Sequence, residues 1–270
     1  MAFKKEDTNV AWMLILLLAL IWGSSFILMK RGLASFPFYE VAAIRMFTAM
    51  LVIAPFTLMQ IRKIQHDQVK YMAASGLLGN MIPAFLFPYA QTMIASSMAG
   101  LLNSLTPVFV LLLGKFFFGV KTKRQAIYGV ALGLISAIAL IMIRTQGALG
   151  SNPIYGLFIV LACICYAFSV NTIRTHLHDV NPIIITGVAL MFSGIPCGFY
   201  LFSTDFIDRL LSDPAAMKNF AAIAILGTIG SGLSTVLFNK LVKMTTALAA
   251  SSVTYLIPDR KSTRLNSSHR

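Results

Sequence analysis

Long apolar segments constrain the fold of this chain more than any other feature of its sequence. Eight segments each hold about 20 mostly apolar residues, the length that a helix needs to cross the hydrocarbon core of a bilayer. They cover residues 10–29, 41–59, 69–90, 95–118, 126–143, 154–173, 182–202 and 220–242. A ninth begins near Thr246 and reaches Pro258. Because the apolar residues form continuous runs rather than alternating with polar ones, the sequence predicts an all-α membrane protein.

The composition supports this interpretation. Charged residues make up 11% of the 270 residues and hydrophobic residues 57%, whereas soluble domains average about 25% charged and about 45–50% apolar residues. This balance argues against a soluble enzyme and against disorder. The net charge of +13 would also suit nucleic acid, but the basic residues cluster between apolar segments, as in membrane proteins. We therefore expect the lipid bilayer, and no nucleic acid, as a partner.

The distribution of Lys and Arg predicts the orientation of the chain. With the N-terminus inside, the connections on the cytoplasmic side carry more than twice as many Lys and Arg residues as those outside. Cytoplasmic connections of membrane proteins are enriched in these residues. We expect a multi-pass protein with a cytoplasmic N-terminus, located in a bacterial inner (plasma) membrane.

The last residues differ abruptly from the rest. Residues 259–270 read DRKSTRLNSSHR and resemble the translation of a widely used sequencing-library adapter. We expect this tail to be an artefact, with Pro258 as the last authentic residue and helix 9 truncated there; a genuine polar tail is the alternative. Re-sequencing the locus should reveal an apolar continuation after Pro258. Genomic codons for the tail followed by a stop would contradict this expectation.

The chain also contains an internal repeat. A shift of 151 residues places 76–107 over 227–258 without a gap. Identical pairs include Gly76/Gly227, Gly79/Gly230, Phe87/Phe238 and Pro107/Pro258. A shift of 144 residues places helix 1 over helix 6 and pairs Trp22 with Tyr166, Ser25 with Ser169 and Lys30 with Arg174.

Two repeat units follow from these shifts: residues 10–143 with helices 1–5, and residues 154–258 with helices 6–9. Five helices per unit is an odd number, so the second unit would enter the membrane from the opposite side. The sequence therefore predicts an inverted repeat of two five-helix units, with ten helices expected, eight complete and a ninth truncated. Secondary transporters with this architecture bind substrate near the bilayer midplane, between the repeats.

Four stretches resemble EamA-type proteins of the drug/metabolite transporter superfamily. They are Ile21-Trp22-Gly23-Ser24-Ser25-Phe26 with Lys30, Arg45 within AAIRMFTAM, residues 95–107 (ASSMAGLLNSLTP) and residues 246–258 (TALAASSVTYLIP). The resemblance implies a ten-helix carrier of small metabolites, often amino acids moved outward, or of drugs, with both termini cytoplasmic. One departure is that Val120, rather than a glutamate, follows Gly119.

Polar and aromatic residues within the predicted spans are candidates for a substrate cavity. An unsatisfied polar group is costly in hydrocarbon, so such groups face the bundle or a water-filled cavity. The alternative is interhelical hydrogen bonding, worth about 0.6 kcal/mol on average. The candidate cavity residues are Trp22, Ser25, Arg45, Asn80, Asn103, Tyr166, Asn171 and Tyr255.

Two further predictions concern prolines and charge. Pro107 and Pro258 are equivalent in the repeat and are predicted kinks or hinges, with a static bend as the alternative. Arg45 lies about five residues into helix 2, where an ionisable residue suggests a functional site; snorkelling toward headgroups is the alternative. Glu40 lies about 140° around the helix from Arg45 and is not a ready partner.

These observations predict a secondary transporter that works by alternating access on a small metabolite, such as an amino acid or a drug. No enzyme activity, cofactor or metal site is predicted, because no catalytic or metal-binding motif occurs and no histidine lies within a span. The alternatives are an intramembrane enzyme and a non-transporting membrane subunit. A homodimer stays open, and the sequence does not identify the substrate, the direction of transport or the coupling ion.

Overall fold

The computed structural model describes residues 5–145 and 154–257, and these ranges contain helices and turns but no strand. The helices are α1 (Lys5–Gly32), α2 (Phe38–Leu58), α3 (66–93, in three continuous pieces), α4 (Ser96–Phe117), α5 (Arg124–Thr145), α6 (Ile154–His176), α7 (Pro182–Phe202), α8 (Pro214–Met244) and α9 (Ala247–Leu256). A 3-10 turn (Ile61–Lys63) and a connecting helix (Phe206–Ser212) join their neighbours. Pro258 and the tail 259–270 lie outside the described residues.

Six of these helices are long and apolar enough to cross a membrane: α1 (from Thr8), α2, α4, α6, α7 and α8. The sequence predicted eight complete spans; the other two, α3 and α5, are long helices but are not among these six. The all-helical fold is therefore confirmed, and its spanning helices account for the apolar composition.

Local capping sets the helix starts. The Asn181 side chain accepts a hydrogen bond from the Ile183 amide at 2.9 Å, with Pro182 in the first turn of α7. The Asp213 carboxylate caps α8 in the same way, at 2.8 Å from the Ala215 amide. Such caps satisfy backbone donors that have no partner within the helix. Consequently α8 begins six residues before the predicted position of 220.

Equivalent irregularities confirm the repeat. Helix α3 contains a π-helical piece at Leu77–Met81, and α8 contains one at Thr228–Leu233. The two helices end at Met93 and Met244, and the helices that follow them begin at Ser96 and Ala247. The starts of the π-helical pieces, the ends of α3 and α8 and the starts of the helices that follow are each offset by 151 residues, which is the shift found in the sequence.

The repeats run in opposite directions. One apolar cluster packs Leu18, from the first half of α1, with Leu177, which follows the end of α6. Another packs Phe26, from the last turns of α1, with Ile159, from the start of α6. Equivalent helices are therefore antiparallel, as an inverted repeat requires. We call the end of the bundle that holds Leu18 and Leu177 the N-end, because α1 begins there, and the other end the far end.

Close approaches at equivalent glycines join the two repeats. A Cβ added to Gly76 of α3 would overlap the Ala189 carbonyl oxygen of α7, and one added to Gly227 of α8 would meet the Arg45 carbonyl oxygen of α2. Only glycine lets two backbones approach this closely. Arg45 of α2 and Ala189 of α7 therefore occupy equivalent positions in the two repeats. They are 144 residues apart, as are equivalent residues of α1 and α6.

This packing predicts that Gly76→Ala destabilises the protein. The added methyl group would press on the backbone of α7, which cannot rotate away, and overpacking of this kind costs about 1–3 kcal/mol. A Cβ at Gly129, also in a helix, meets nothing within 4 Å, so Gly129→Ala is the matched control. Thermal unfolding of the purified protein in detergent should give a lower Tm for Gly76→Ala only. Equal Tm values would contradict the proposed crossing.

Candidate functional site

A cavity of about 120 Å³ lies between the two repeats. It is lined by residues of α1, α2, α3, α4, α6, α8 and α9. The polar lining residues are Ser25, Arg45, Ser75, Asn80, Asn103, Thr106, Ser169, Ser231, Thr235, Asn239, Ser251 and Thr254. A site for one water needs about 10–15 Å³, so the cavity has room for several waters or a small solute.

The structure places six of the eight candidate residues at this cavity. They are Trp22, Ser25, Arg45, Asn80, Asn103 and Tyr166. Helix α2 supplies Met46 in addition to the predicted Arg45. Its first turns reach the cavity because α2 packs against α8 at Gly227.

Asn171 lies outside the cavity. Its side-chain amide donates to the Val110 carbonyl at 3.1 Å and to the Ala167 carbonyl at 2.9 Å, and the residue is 1% exposed. Five residues separate it from Tyr166, which places it about 140° away on the same helix. Asn171 therefore joins α4 to α6, which is the interhelical alternative considered for polar residues within spans.

Tyr255 also lies outside the cavity. Its hydroxyl donates to the Val130 carbonyl of α5 at 3.3 Å, and its ring fills the space beside Gly133. Its neighbour Thr254 lines the cavity instead. The side chain of Tyr255 therefore connects α9 with α5, and its hydroxyl has a backbone partner there.

Helix α4 is interrupted just before Pro107. Because proline has no N–H, the Asn103 carbonyl lacks its usual donor one turn later. The Thr106 hydroxyl donates to this carbonyl at 2.8 Å. The side-chain nitrogen of Asn103 has no hydrogen-bond partner among the described residues. The break thus leaves an amide donor at the cavity wall, while Pro258, the other predicted hinge, is not described.

Arg45 is the charged residue of the cavity. Its Nε donates to the Ser231 Oγ at 2.6 Å, and its guanidinium also interacts with the Tyr166 hydroxyl. None of the carboxylates in the described ranges forms an ion pair with it. Glu40 instead approaches Arg209 of the connecting helix, with 3.3 Å between Oε2 and Nε. Arg45 is therefore a positive charge held in place by neutral hydroxyl groups.

Two equivalent aromatic pairs flank the cavity. The rings of Trp22 and Phe238 lie 5.2 Å apart, and those of Tyr166 and Phe87 lie 6.0 Å apart. The repeat equates Trp22 with Tyr166 and Phe238 with Phe87. Tyr166 and Phe87 lie toward the far end, and Trp22 and Phe238 lie toward the N-end. The pairs separate in this way because α3 runs to the far end after its π-helical piece, whereas α8 runs to the N-end after its own.

The wall of α8 at the cavity is held by a short chain of hydrogen bonds. Trp22 Nε1 donates to the Ser234 Oγ at 3.1 Å, and the Ser234 hydroxyl donates to the Gly230 carbonyl at 2.7 Å. The position equivalent to Ser234 in α3 is Pro83, which has no N–H to donate. Ser234 directly follows the π-helical piece of α8, and Pro83 lies two residues after that of α3. Such π-helical pieces are common at functional sites.

Several lining residues were not among the sequence candidates. Ser231 is equivalent to Asn80, and Phe238 and Phe87 form one of the identical pairs of the repeat. Carrying the candidate Asn80 through the 151-residue shift would have found Ser231. Asn239 also lines the cavity; its Nδ2 donates to Thr186 Oγ1 at 2.9 Å, while its buried Oδ1 has no partner among the described residues.

A membrane-embedded bundle of two inverted repeats around a polar and aromatic cavity defines the class of membrane transporters. The sequence profile of the EamA-like transporter family matches residues 9–142 and 154–258. The chain belongs to this family.

Individual proteins support the same class. An "Uncharacterized inner membrane transporter YedA" of Escherichia coli (strain K12) is 25% identical over 251 residues, covering 89% of this chain and 77% of that protein. An "Uncharacterized transporter" of Archaeoglobus fulgidus is 23% identical over 218 residues, covering 80% of this chain and 76% of that protein. A solved crystal structure shares the fold with a TM-score of 0.65 at 17% identity, covering 94% of this chain and 84% of the other.

The geometry predicts that position 103 is reachable by water and position 171 is not. A cysteine at Asn103 should react with a small water-soluble thiol reagent, in a background in which Cys163, Cys165 and Cys197 are replaced by alanine. A cysteine at Asn171, packed between α4 and α6, should stay unmodified under the same conditions. Equal reactivity at both positions, read by mass spectrometry, would show that the cavity is wrongly placed.

Proposed function

We propose that this protein is a secondary transporter that moves a small carboxylate-bearing metabolite, such as an amino acid, by alternating access through the central cavity. The observation that carries the proposal is the unpaired charge of Arg45. A charge inside a membrane protein is costly, and it usually belongs to a substrate or ion pathway. Family membership and the cavity between inverted repeats support the transport part of the proposal.

The chemistry around Arg45 favours an anionic group. A guanidinium offers several N–H donors in a planar fork and binds a carboxylate through two parallel hydrogen bonds. Its Nε donates to the Ser231 hydroxyl, and the guanidinium also interacts with the Tyr166 hydroxyl. The remaining donors stay available to a ligand, and a weakly polar surrounding strengthens the attraction.

Other lining groups suit the rest of an amphipathic metabolite. The free amide nitrogen of Asn103 would donate to a second acceptor on the ligand. The unpartnered Oδ1 of Asn239 is a buried acceptor for an ammonium or hydroxyl group. The aromatic pairs offer apolar faces for a side chain. A cavity with few polar groups among apolar walls is typical of small-molecule sites.

The inverted repeat supplies the mechanism in this proposal. The units 10–143 and 154–258 rock against each other, so that the cavity opens to one side of the membrane and then to the other. No bond is made or broken; the residues bind, orient and release the substrate. We place the N-end in the cytoplasm from the distribution of Lys and Arg. We place the protein in a bacterial inner membrane from the description of its E. coli relative.

Transport by purified protein in proteoliposomes tests the proposal. The vesicles are loaded with a radiolabelled amino-acid hydrolysate and efflux is compared with that from protein-free vesicles. Efflux above that background is expected. Its absence, together with absent uptake of the same mixture, would contradict the proposed substrate class.

Arg45→Gln should weaken this transport. The loss of a charged hydrogen-bond partner should raise KM by about tenfold or more while insertion into the membrane is retained. Arg62→Gln is the matched control, because Arg62 lies exposed on the 3-10 turn. Full transport by Arg45→Gln would mean that Arg45 does not contact the substrate.

A further inference from the structure

Two basic residues make equivalent contacts at opposite ends of the bundle. Lys30 Nζ, in the last turn of α1, donates to the Gln91 carbonyl at 2.7 Å. Arg174 Nη1, in the last turn of α6, donates to the Val242 and Lys243 carbonyls at 3.3 and 3.2 Å. Lys30 and Arg174 are equivalent at the 144-residue shift, and Gln91 and Val242 at the 151-residue shift. The inverted repeat therefore preserves the contact although the residue type differs.

Both contacts are made at the end of a helix. Gln91 lies in the last turn of α3 and Val242 in the last turn of α8. The last carbonyls of a helix have no partner within it and carry partial negative charge, so a cation there is favourable. Only the connections 94–95 and 245–246 separate these ends from α4 and α9. Each cation thus contacts its repeat close to the start of the next helix.

Each cation directly follows the last residue of its helix that lines the cavity. Met29 directly precedes Lys30, and Ile173 directly precedes Arg174. Met29 packs in the apolar cluster of the far end and Ile173 in that of the N-end. The two residues are themselves equivalent at the 144-residue shift. The two contacts therefore sit where the cavity meets each end of the bundle.

We propose that Lys30 and Arg174 are a matched pair of positioning residues, each of which holds the cavity closed at its own end. This inference rests on the proposed alternating access and adds a movement within each repeat. Lys30 joins α1 to α3 and Arg174 joins α6 to α8, so each end opens when the two helices of its own contact part. Both contacts are formed in the structure. Lys30 is exposed and Arg174 is half-buried, so water can replace either carbonyl when the helices part. The contacts are thus reversible rather than permanent supports.

The surroundings of the two contacts differ. At the N-end, Lys243 Nζ adds a hydrogen bond to the Val180 carbonyl at 2.9 Å. At the far end, the ion pair of Glu40 with Arg209 ties α2 to the connecting helix. Each end of the bundle therefore has one contact that recurs in both repeats and a second contact of a different kind. Removing the shared contact weakens one end without removing all of its closure.

Thiol labelling in the absence of any substrate tests this inference. Reporter cysteines replace Met29 or Ile173 in a background in which Cys163, Cys165 and Cys197 are alanine. A membrane-impermeant maleimide is applied separately to each side of oriented vesicles. Each reporter is combined with Lys30→Met, with Arg174→Met or with neither.

Lys30→Met should raise labelling of the Met29 reporter from the far-end side, and Arg174→Met should raise labelling of the Ile173 reporter from the N-end side. Loss of a charge-assisted hydrogen bond should change the labelling rate by about tenfold. The opposite reporter should be unchanged or slower in each case, because opening one end closes the other. Lys30→Arg and Arg174→Lys, which keep a cationic donor, should restore the parent rates.

A rise at both reporters, or at neither, would overturn the inference, because the first indicates general loosening and the second a contact without effect on closure. If Lys30→Met or Arg174→Met is not recovered as a monodisperse protein, Lys30→Gln and Arg174→Gln, which keep a neutral donor, are labelled instead and judged by the same criteria. If each variant raises labelling from the expected side but no amino-acid flux is found, the proposed role of the two contacts stands. That result contradicts the proposed substrate class alone.

Discussion

The structure depends on the rule that backbone polar groups in hydrocarbon must find partners within the protein. Regular helices meet this rule by themselves, but α3, α4 and α8 are irregular where they pass the cavity. There the partners come from side chains, such as the Thr106 hydroxyl and the Ser234 hydroxyl. Each repeat also covers the other's π-helical piece, since Ser169 packs against Gly79 and Ser25 against Gly230. Neither repeat would present a satisfied surface alone.

The same irregularities give the cavity its chemistry. A straight helix would direct its carbonyls along its own axis and leave only side chains for a ligand. The interruption before Pro107 instead exposes the Asn103 amide, and the π piece of α8 brings Ser231 within 2.6 Å of Arg45. Polar character is thus concentrated at the middle of the bundle, between two aromatic pairs and two apolar clusters.

The sequence predicted most of this arrangement because apolar length and repeat offset are one-dimensional signals. The 151-residue shift matches the ends of α3 and α8 and the starts of α4 and α9. Helix faces were harder: Asn171 and Tyr255 looked like cavity residues, yet both turn toward neighbouring helices. A polar residue in a span needs a partner, but the sequence does not say whether that partner is a carbonyl or a ligand. The π-helical pieces left no common signal at the positions that follow them, where the repeat pairs Pro83 with Ser234.

The correspondence of Arg45 with Ala189 has an electrical consequence. The two repeats share helix ends and π-helical pieces but not their charge, because Arg45 of the first repeat is the one cation among the described residues that line the cavity. In the proposed mechanism, the two repeats exchange conformations when the cavity switches from one side of the membrane to the other. The two access states then differ in where the charge of Arg45 lies. Moving one elementary charge across a potential of 100 mV corresponds to about 2.3 kcal/mol. Movement of the Arg45 charge through even part of the membrane potential therefore favours one access state over the other. On the proposed mechanism, membrane voltage therefore acts differently on the two access states.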